Sequence, residues 1–222
     1  MRKKLKILIT AGPTIENIDP VRYISNRSTG EMGYALATEA VKRKHAVTLI
    51  SGPVSLKPPL GTRVINIETA AGLEKHISRE IKKADCLIMS SAVCDFKPAG
   101  FLQKKLKSGK ALTLKLVPNR DILKRISKIK YQKAKILVGF SLETGNALKS
   151  AMSKLRSKSL DLIISNRIYR HNDPFGKGRK EFLILDRNGY RKTFKNKTKR
   201  EAARAILDSV EELVLYSEIT LF

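Results

Sequence analysis

Short apolar runs alternate along this chain with segments in which apolar residues recur at helical spacing. Residues 4–10 form the first run, rich in leucine and isoleucine, and it ends in the turn sequence Ala11-Gly12-Pro13-Thr14. A run that is apolar at consecutive positions predicts a strand covered on both faces, as in a parallel sheet. Between residues 30 and 43 the apolar positions lie three and four apart, which predicts the first crossover helix.

The same alternation continues through most of the chain. Further strands are predicted at 45–51, 63–67, 85–90, 135–140 and 160–165, and further helices at 70–83, 121–130 and 146–157. Strands that alternate with helices through short connections favour a mostly parallel sheet with right-handed crossovers and helices on both faces. The predicted fold class is therefore α/β.

Two segments depart from this rhythm. Residues 95–116 are rich in lysine, and residues 111–117 alternate apolar and polar positions as a half-exposed strand does. We therefore predict a flap at about 96–117. Nearer the C-terminus, residues 181–186 and 190–194 flank an Asn-Gly turn, which predicts a β-hairpin before a final helix at 199–216.

Composition is that of a globular protein. The 222 residues are 42% hydrophobic and 29% charged, which predicts a single domain over 1–222 with a sizeable core. No apolar run reaches the roughly 20 residues of a membrane-spanning helix, and the N-terminus has no signal-peptide pattern. Cys86 and Cys94 have no metal-binding spacing, so a reducing cytoplasm is the expected location.

The formal net charge of +25 is the extreme feature of the sequence. A basic protein attracts polyanions, so a nucleic-acid-binding α/β protein is an alternative interpretation. The lysines, however, are spread along the chain, and clustered aromatic residues are lacking. A solvated basic surface, which also suits small anionic substrates, is the favoured interpretation, and nucleic acid is not an expected partner.

The segment between the first strand and the first helix is long for such a connection. A structural loop of this kind takes roughly two to six residues, so this one is predicted to handle a ligand. Ser28 or Thr29 is expected to cap the helix, and Gly30 and Gly33 allow close backbone approach. The alternative is a capped helix after an incidental long loop. A Gly-x-Gly-x-x-Gly fingerprint is missing, which argues against an NAD(P)-dependent or nucleotide-sugar enzyme.

Polar residues in this loop and after the fourth strand are candidates for chemistry. Asn26 and Arg22 can donate hydrogen bonds to an anion or a developing oxyanion. Asp95 follows the strand at the sheet edge where ligands bind, and its carboxylate suits a ribose hydroxyl or a divalent cation, or alternatively caps a turn before Pro98. Cys94 has no histidine near it in sequence and is rejected as a nucleophile.

Two later segments suggest phosphate binding. The lysine-rich stretch 103–111 leads to Asn119-Arg120-Asp121 at a helix start, which is consistent with a basic flap that reaches a triphosphate, although a lysine run is usually a solvated surface. Phe140 can pack on a base, and Lys154 and Lys158 lie one helical turn apart. The alternative there is a core aromatic and a surface pair.

Together these four segments resemble the ligase domain of bacterial phosphopantothenate–cysteine ligase, from about residue 7 to residue 186. The resemblance implies a Rossmann-like, homodimeric protein that uses CTP and Mg²⁺. It further implies that 4'-phosphopantothenate is activated as an acyl-cytidylate with loss of pyrophosphate, and that the amine of L-cysteine then displaces CMP. Bifunctional relatives carry a flavin-dependent decarboxylase ahead of this domain, which is here expected in a separate protein.

The resemblance also implies roles for individual residues. Asn26, Arg22 and Lys105 fall on catalytic positions, with Lys104 and Lys107 close enough to take the place of Lys105, and Asp95 is the expected metal ligand. Ligand-binding positions are Gly12, Ser28, Gly30, Ala92, Asp95, Asn119, Arg120, Asp121, Ile122, Leu123, Phe140, Lys154 and Lys158. Arg120 stands where proline is usual, Cys94 replaces a common alanine, and the flap is shorter than in some relatives.

Overall fold

The computed structural model describes residues 3–109, 111–130, 135–143, 146–167, 175 and 178–219. The strands in chain order are β1 (Lys6–Ala11), β2 (Ile15–Asn17), β3 (Tyr23–Ser25), β4 (Ala46–Ser51), β5 (Thr62–Asn66), β6 (Cys86–Met89), β7 (Phe96–Pro98), β8 (Leu116–Pro118), β9 (Ile136–Glu143), β10 (Leu162–Arg167), β11 (Lys180–Asp186) and β12 (Arg191–Lys197). The helices are α1 (Glu31–Lys42), α2 (Ala70–Glu80), α3 (Ile122–Lys130), α4 (Ala147–Ser157) and α5 (Lys199–Ile219).

One eight-stranded sheet organises the molecule, in the order β12-β11-β10-β9-β6-β1-β4-β5. Six neighbouring strands of this sheet, β10, β9, β6, β1, β4 and β5, run parallel to one another, whereas β11 and β12 continue the sheet antiparallel. This arrangement confirms the α/β, Rossmann-like prediction. The predicted C-terminal hairpin is also confirmed, with Gly189 at φ 89 in its turn.

Alternate residues of the buried strands feed two apolar cores on opposite faces of the sheet. In β1, Ile7 and Ile9 pack with α1 and α5, whereas Leu8 packs with α2, α3 and α4. Each fully buried aliphatic side chain contributes about 1.5–3 kcal/mol relative to an exposed one. The continuous apolar pattern of β1 therefore has a physical cause, because both of its faces are covered.

Helices α1 and α5 lie side by side and run in the same direction. Arg43 at the end of α1 pairs with Asp208 of α5 at 2.8 Å, and Lys199 at the start of α5 pairs with Glu31 at 2.5 Å. The ring of His45 accepts a hydrogen bond from Leu5 N at 3.2 Å and contacts Glu211 of α5 at 3.0 Å. The N-termini of both helices consequently lie at the carboxyl edge of the parallel strands.

One local prediction was inaccurate, and one element was missed. The strand expected at 111–117 forms only as β8, which pairs with β7, because the short β7 offers hydrogen bonds to just three residues. The loop between β1 and α1 folds into the β2–β3 hairpin, which the sequence pattern did not predict. Within the described ranges, no helix has both the length and the apolar character needed to cross a membrane.

Candidate active site

A crevice of about 490 Å³ opens at the carboxyl edge of the parallel strands. It extends across both faces of the sheet, from α4 on one side to the starts of α1 and α5 on the other. The predicted positions that line it are Asn26, Ser28, Gly30, Ala92, Asp95, Leu123, Phe140, Lys154 and Lys158. Segments far apart in sequence are thus brought to one cavity, at the edge where ligands bind in open α/β sheets.

Backbone hydrogen bonds between the loops after β1 and β6 build the floor of the crevice. Ala92 N donates to Gly12 O at 3.0 Å, and Thr14 N donates to Ala92 O at 3.1 Å. The hydroxyl of Thr14 accepts from Cys94 N at 2.9 Å. Gly12 has φ 75, in the left-handed region that glycine adopts readily, so its place in this frame explains the need for that residue.

Asn26 is held against this frame by its side-chain amide. Its Nδ2 donates to Ala92 O at 3.1 Å, while the residue as a whole stays exposed at the crevice wall. Because a backbone carbonyl can only accept, this contact fixes which end of the amide faces Ala92. Asn26 is therefore a neutral, oriented polar group beside the ligand space.

The start of α1 forms a second wall. The prediction that Ser28 or Thr29 is the N-cap residue of this helix is wrong, because Gly30 occupies the cap position with φ 77. The two hydroxyls still contact the helix start at long range, since Ser28 Oγ accepts from Gly30 N at 3.4 Å and Thr29 Oγ1 accepts from Glu31 N at 3.5 Å. Gly33 packs so closely on the sheet that a methyl group there would lie 2.5 Å from Ala11 Cβ and 2.9 Å from Thr10 O. Residues 30–33 at this helix start line the crevice, where the dipole of the helix favours an anionic ligand.

Lys154 of α4 and Lys158, which follows the last residue of α4, form the wall on the other face of the sheet. Lys154 Nζ lies 2.6 Å from Glu143, and Lys158 Nζ lies 3.1 Å from Asp121. Burial raises the pKa of Glu143, but hydrogen bonds from Lys154 and Ser150 outweigh it and bring the pKa below its usual value. Glu143 is therefore ionised at neutral pH and forms an ion pair with Lys154.

Some buried polar atoms at the crevice have no hydrogen-bond partner within the described part of the chain. They include Ser91 Oγ and Asn166 Oδ1, both of which belong to residues that line the cavity. Buried polar groups are nearly always paired in native proteins, so orphaned ones indicate that a ligand or water completes them. The cavity is accordingly suited to a polar ligand.

Several predicted positions lie outside the cavity wall. Arg22 pairs with Asp19 at 2.5 Å and donates from Nη2 to Leu106 O at 2.9 Å, while Lys105, next to Leu106, is exposed in the flap. Arg22 and Lys105 are thus brought close to each other, but neither lines the crevice. The structure does not place Arg22 or Lys105 against the ligand space of this chain.

The other predicted positions outside the cavity wall frame it. Asn119 ties the start of α3 to the loop after β6 by donating to Asp95 O at 2.7 Å and Cys94 O at 2.9 Å. Asp121 accepts from Lys124 N at 3.0 Å, and Ile122 is buried. Gly12 and Arg120 likewise do not line the cavity.

Asp95 is exposed at the crevice and is compatible with a magnesium ion carried by a triphosphate. Among the residues that the structure describes, no group of three or more His, Cys, Asp and Glu side chains could hold a metal by itself. Mg²⁺ commonly takes one or two carboxylates together with substrate phosphates and water. The donor set therefore fits an ion that arrives with a nucleotide.

Cys94 behaves as a structural thiol. Its side chain is buried, and its sulfur lies 3.4 Å from Thr14 O. Desolvation by burial raises the pKa of the thiol above its usual value, so the thiolate is disfavoured at neutral pH. The geometry supports the rejection of Cys94 as a nucleophile.

Sequence reasoning missed the end of the crevice beside α5. Lys180, Lys197 and Lys199 line the cavity there, and Lys199 Nζ contacts Glu31 and donates to Phe175 O at 3.0 Å. One signal was available, because Thr198-Lys-Arg-Glu201 is a capping box that marks a helix start. Thr198 N donates to Glu201 Oε2 at 2.9 Å, and Glu201 N donates to Thr198 Oγ1 at 3.2 Å.

Fold and site together define an α/β protein with a polar ligand crevice at the carboxyl edge of a parallel sheet. Residues 2–214 match the family model of the DNA/pantothenate metabolism flavoprotein C-terminal domain. The chain therefore belongs to this family.

Curated relatives agree with that assignment. The chain is 40% identical over 208 residues to the coenzyme A biosynthesis bifunctional protein CoaBC of Borreliella burgdorferi, covering 92% of this chain and 52% of the relative. It is 38% identical over 209 residues to CoaBC of Bacillus subtilis, covering 93% and 51%. A cysteine/cysteine sulfinic acid decarboxylase from an unknown prokaryotic organism is 39% identical over 211 residues, covering 94% and 58%. The chain thus spans about half the length of these relatives.

Solved structures share the fold. The C-terminal domain of CoaBC superposes with a TM-score of 0.81 at 33% identity and covers 96% of this chain and 97% of that domain. A Cab2 mutant in complex with phosphopantothenate-cysteine gives 0.78 at 17% identity over 98% of this chain and 89% of the other. At that identity the second similarity concerns the fold alone.

Proposed function

We propose that this protein ligates 4'-phosphopantothenate to L-cysteine in coenzyme A biosynthesis, with CTP as the activating nucleotide. The observation that carries the proposal is the single crevice where Asn26, Asp95, Lys154 and Lys158 meet. Membership of the family and the similarity to CoaBC support it. The protein is proposed to be located in the cytoplasm.

The chemistry needs an activated carboxylate. In the first step a carboxylate oxygen of phosphopantothenate bonds to the α-phosphorus of CTP, and the bond to the β-phosphate breaks with release of pyrophosphate. In the second step the amine of cysteine bonds to the acyl carbon and CMP leaves. Without activation a carboxylate is a poor electrophile, because its leaving group would be an oxide.

Residues of the crevice provide what these steps require. Lys154, Lys158 and the backbone amides at the start of α1 offset the negative charge of the phosphates. Asn26 offers a fixed amide to the acyl centre. Asp95 would hold Mg²⁺, which would supply additional neutralisation of the triphosphate.

A reconstituted assay tests the proposal. CTP, magnesium, 4'-phosphopantothenate and cysteine together should release pyrophosphate and form phosphopantothenoylcysteine, whereas omission of any one component should stop the reaction. A parallel arm measures carbon dioxide from cysteine and from cysteine sulfinate, because one relative carries that name. Carbon dioxide release with no pyrophosphate from CTP, ATP or UTP would show that the ligase assignment is wrong.

A thermal-shift comparison addresses the choice of nucleotide. A ligand that binds only the folded state stabilises it by an amount that grows with the logarithm of the ligand concentration divided by Kd, so at equal concentrations CTP should raise the melting temperature more than ATP or UTP. Equal shifts for all three nucleotides would contradict CTP preference without affecting the ligation itself.

A further inference from the structure

The crevice has a second cationic end, remote from Lys154 and Lys158. Lys180 begins β11 and Lys197 ends β12, and the two residues are direct neighbours across the antiparallel pair. Lys199 opens α5 one residue after Thr198. All three lysines line the cavity, on the side of the sheet that α1 and α5 cover.

Burial makes this end more than a solvated basic patch. Lys180 is only 8% exposed, and a buried ammonium group is costly unless anionic or acceptor groups surround it. Lys199 is fixed by Glu31 and Phe175 O, and Lys197 by Glu201 at 3.2 Å. The side chains of Lys197 and Lys199 are therefore held in place before a ligand arrives, which lowers the entropy lost on binding.

Charge at this end favours an anion. Among the residues that the structure describes there, the cations are Arg179, Lys180, Lys197 and Lys199. Glu201 pairs with Arg179 and Lys197, and Glu31 pairs with Lys199. Hydrogen bonds from Thr198 and Lys197 lower the pKa of Glu201 to about 2, so this carboxylate stays ionised at neutral pH and is committed to the cap of α5. Positive charge remains in excess, and the starts of α1 and α5 add their helix dipoles.

From this geometry we infer that the α5 end of the crevice is a phosphate subsite built by Lys180, Lys197 and Lys199. Its ligand class is a phosphate or pyrophosphate group. The inference rests on the proposed function in one respect, which is the source of that group. The source is either the β- and γ-phosphates of the nucleotide, which leave as pyrophosphate, or the terminal phosphate of 4'-phosphopantothenate.

Binding of inorganic pyrophosphate tests the subsite without any turnover. Isothermal titration calorimetry on the full chain should show pyrophosphate binding that weakens about tenfold or more in Lys180→Gln and in Lys199→Gln, since each loses a charge-assisted contact. Lys199→Arg should retain most of the affinity. Lys195→Gln is the matched control, because Lys195 is exposed on β12 and does not line the cavity, and it should bind as the unmodified protein does.

Two results overturn the inference. One is failure of the unmodified protein to bind pyrophosphate or phosphate. The other is an affinity that is unchanged in folded Lys199→Gln and Lys197→Gln, or that falls equally in Lys195→Gln, which would indicate a diffuse effect of the basic surface. The Lys197 and Lys199 variants keep the test decisive if the buried Lys180 variant does not fold.

Steady-state kinetics separate the two sources of phosphate. A selective rise in KM for CTP in Lys199→Gln assigns the subsite to the triphosphate, whereas a selective rise for 4'-phosphopantothenate assigns it to that terminal phosphate. Failure of the proposed function is distinguishable, because turnover would then be absent while pyrophosphate binding still responds to the lysines. Normal turnover with both KM values unchanged overturns the subsite and leaves the ligase proposal intact.

Discussion

At the scale of single residues, the structure shows which hydrogen bonds orient a polar side chain whose role the sequence leaves open. Asn26 could serve as donor or acceptor when only its type is known. In the fold, its Nδ2 shares the carbonyl of Ala92 with Thr14 N, so the side chain is tied to the floor of the crevice. The role of the residue thus depends on a contact between positions 66 residues apart, which local sequence cannot specify.

Asn26→Asp is expected to stall the reaction at the acyl-nucleotide. A carboxylate cannot donate to Ala92 O, and its charge opposes the oxyanion that develops when cysteine attacks the acyl carbon. Loss of one such stabilising group typically lowers kcat by about 10²–10³. Rapid-quench analysis should show acyl-cytidylate accumulating with near-normal release of the first pyrophosphate.

Asn188→Asp, in the exposed turn between β11 and β12, is the control for this substitution and should leave kcat unchanged. A variant at Asn26 that forms product at the normal rate would remove that residue from the mechanism.

At the scale of elements, the flap (residues 96–117) is anchored to the loop between β1 and α1 rather than to the crevice. Leu106 N donates to Asp19 Oδ2 at 3.0 Å, and Leu102 N donates to Ile18 O at 2.9 Å. Hydrogen bonds from the backbone of Leu106, Val21 and Arg22 lower the pKa of Asp19 to about 2 from its ordinary 3.8. The anchor is thus a carboxylate that favours its ionised form.

Asp19→Asn should loosen the flap. A neutral amide accepts at one atom only, so the Leu106 contact is lost and amide hydrogen exchange around residues 102–109 should become about tenfold faster.

In the unmodified protein the depressed pKa of Asp19 means that the anchor is complete above about pH 4 and is lost as the pH falls through about 2. The amide shift of Leu106 in NMR should titrate with that midpoint.

Asp186→Asn makes an equivalent change in the hairpin turn, where Asp186 accepts from Asn188 N and Tyr190 N. It should leave exchange in the flap unaltered. Identical exchange in the flap of Asp19→Asn and the unmodified protein would contradict an anchoring role for Asp19.

The elements that were predicted correctly are those with a strong local signal. The strands and helices of the parallel sheet follow from period and burial, and the β11–β12 turn follows from Asn188-Gly189. The half-exposed strand at 111–117 was overestimated because alternation says nothing about the length of the partner, and β7 is only three residues long. Lys180 and Lys197 escaped notice because they meet through antiparallel pairing across 17 positions, a contact without a local motif.

At the scale of the whole molecule, several large apolar side chains are exposed on two neighbouring segments. The β2–β3 hairpin and the flap, which touch through Leu102 N and Ile18 O, present the half-exposed side chains of Val21, Tyr23, Phe96, Phe101 and Leu102. We call this the hairpin surface. Exposed apolar residues gathered on adjoining segments are typical of an interaction site. The hairpin surface is therefore the place where the homodimer implied by the family resemblance is expected to form.

Two chains of charge +25 repel each other, and this repulsion gives the dimer a testable signature. Salt at 1 M shortens the Debye length to about 3 Å, so an apolar interface between like-charged chains should tighten as salt rises, whereas one held by ion pairs should weaken.

Phe101→Asp should raise the dimer dissociation constant about tenfold or more in sedimentation equilibrium, because it places a charge in the apolar contact. Leu60→Asp, at a position 94% exposed and outside the hairpin surface, is the matched control and should associate normally. A protein that stays monomeric at high micromolar concentration in both salt conditions, or that loses association equally in both variants, would exclude the hairpin surface as the dimer contact. Dimerisation that persists unchanged in Phe101→Asp would place the interface elsewhere and leave the crevice chemistry, which rests on other residues, untouched.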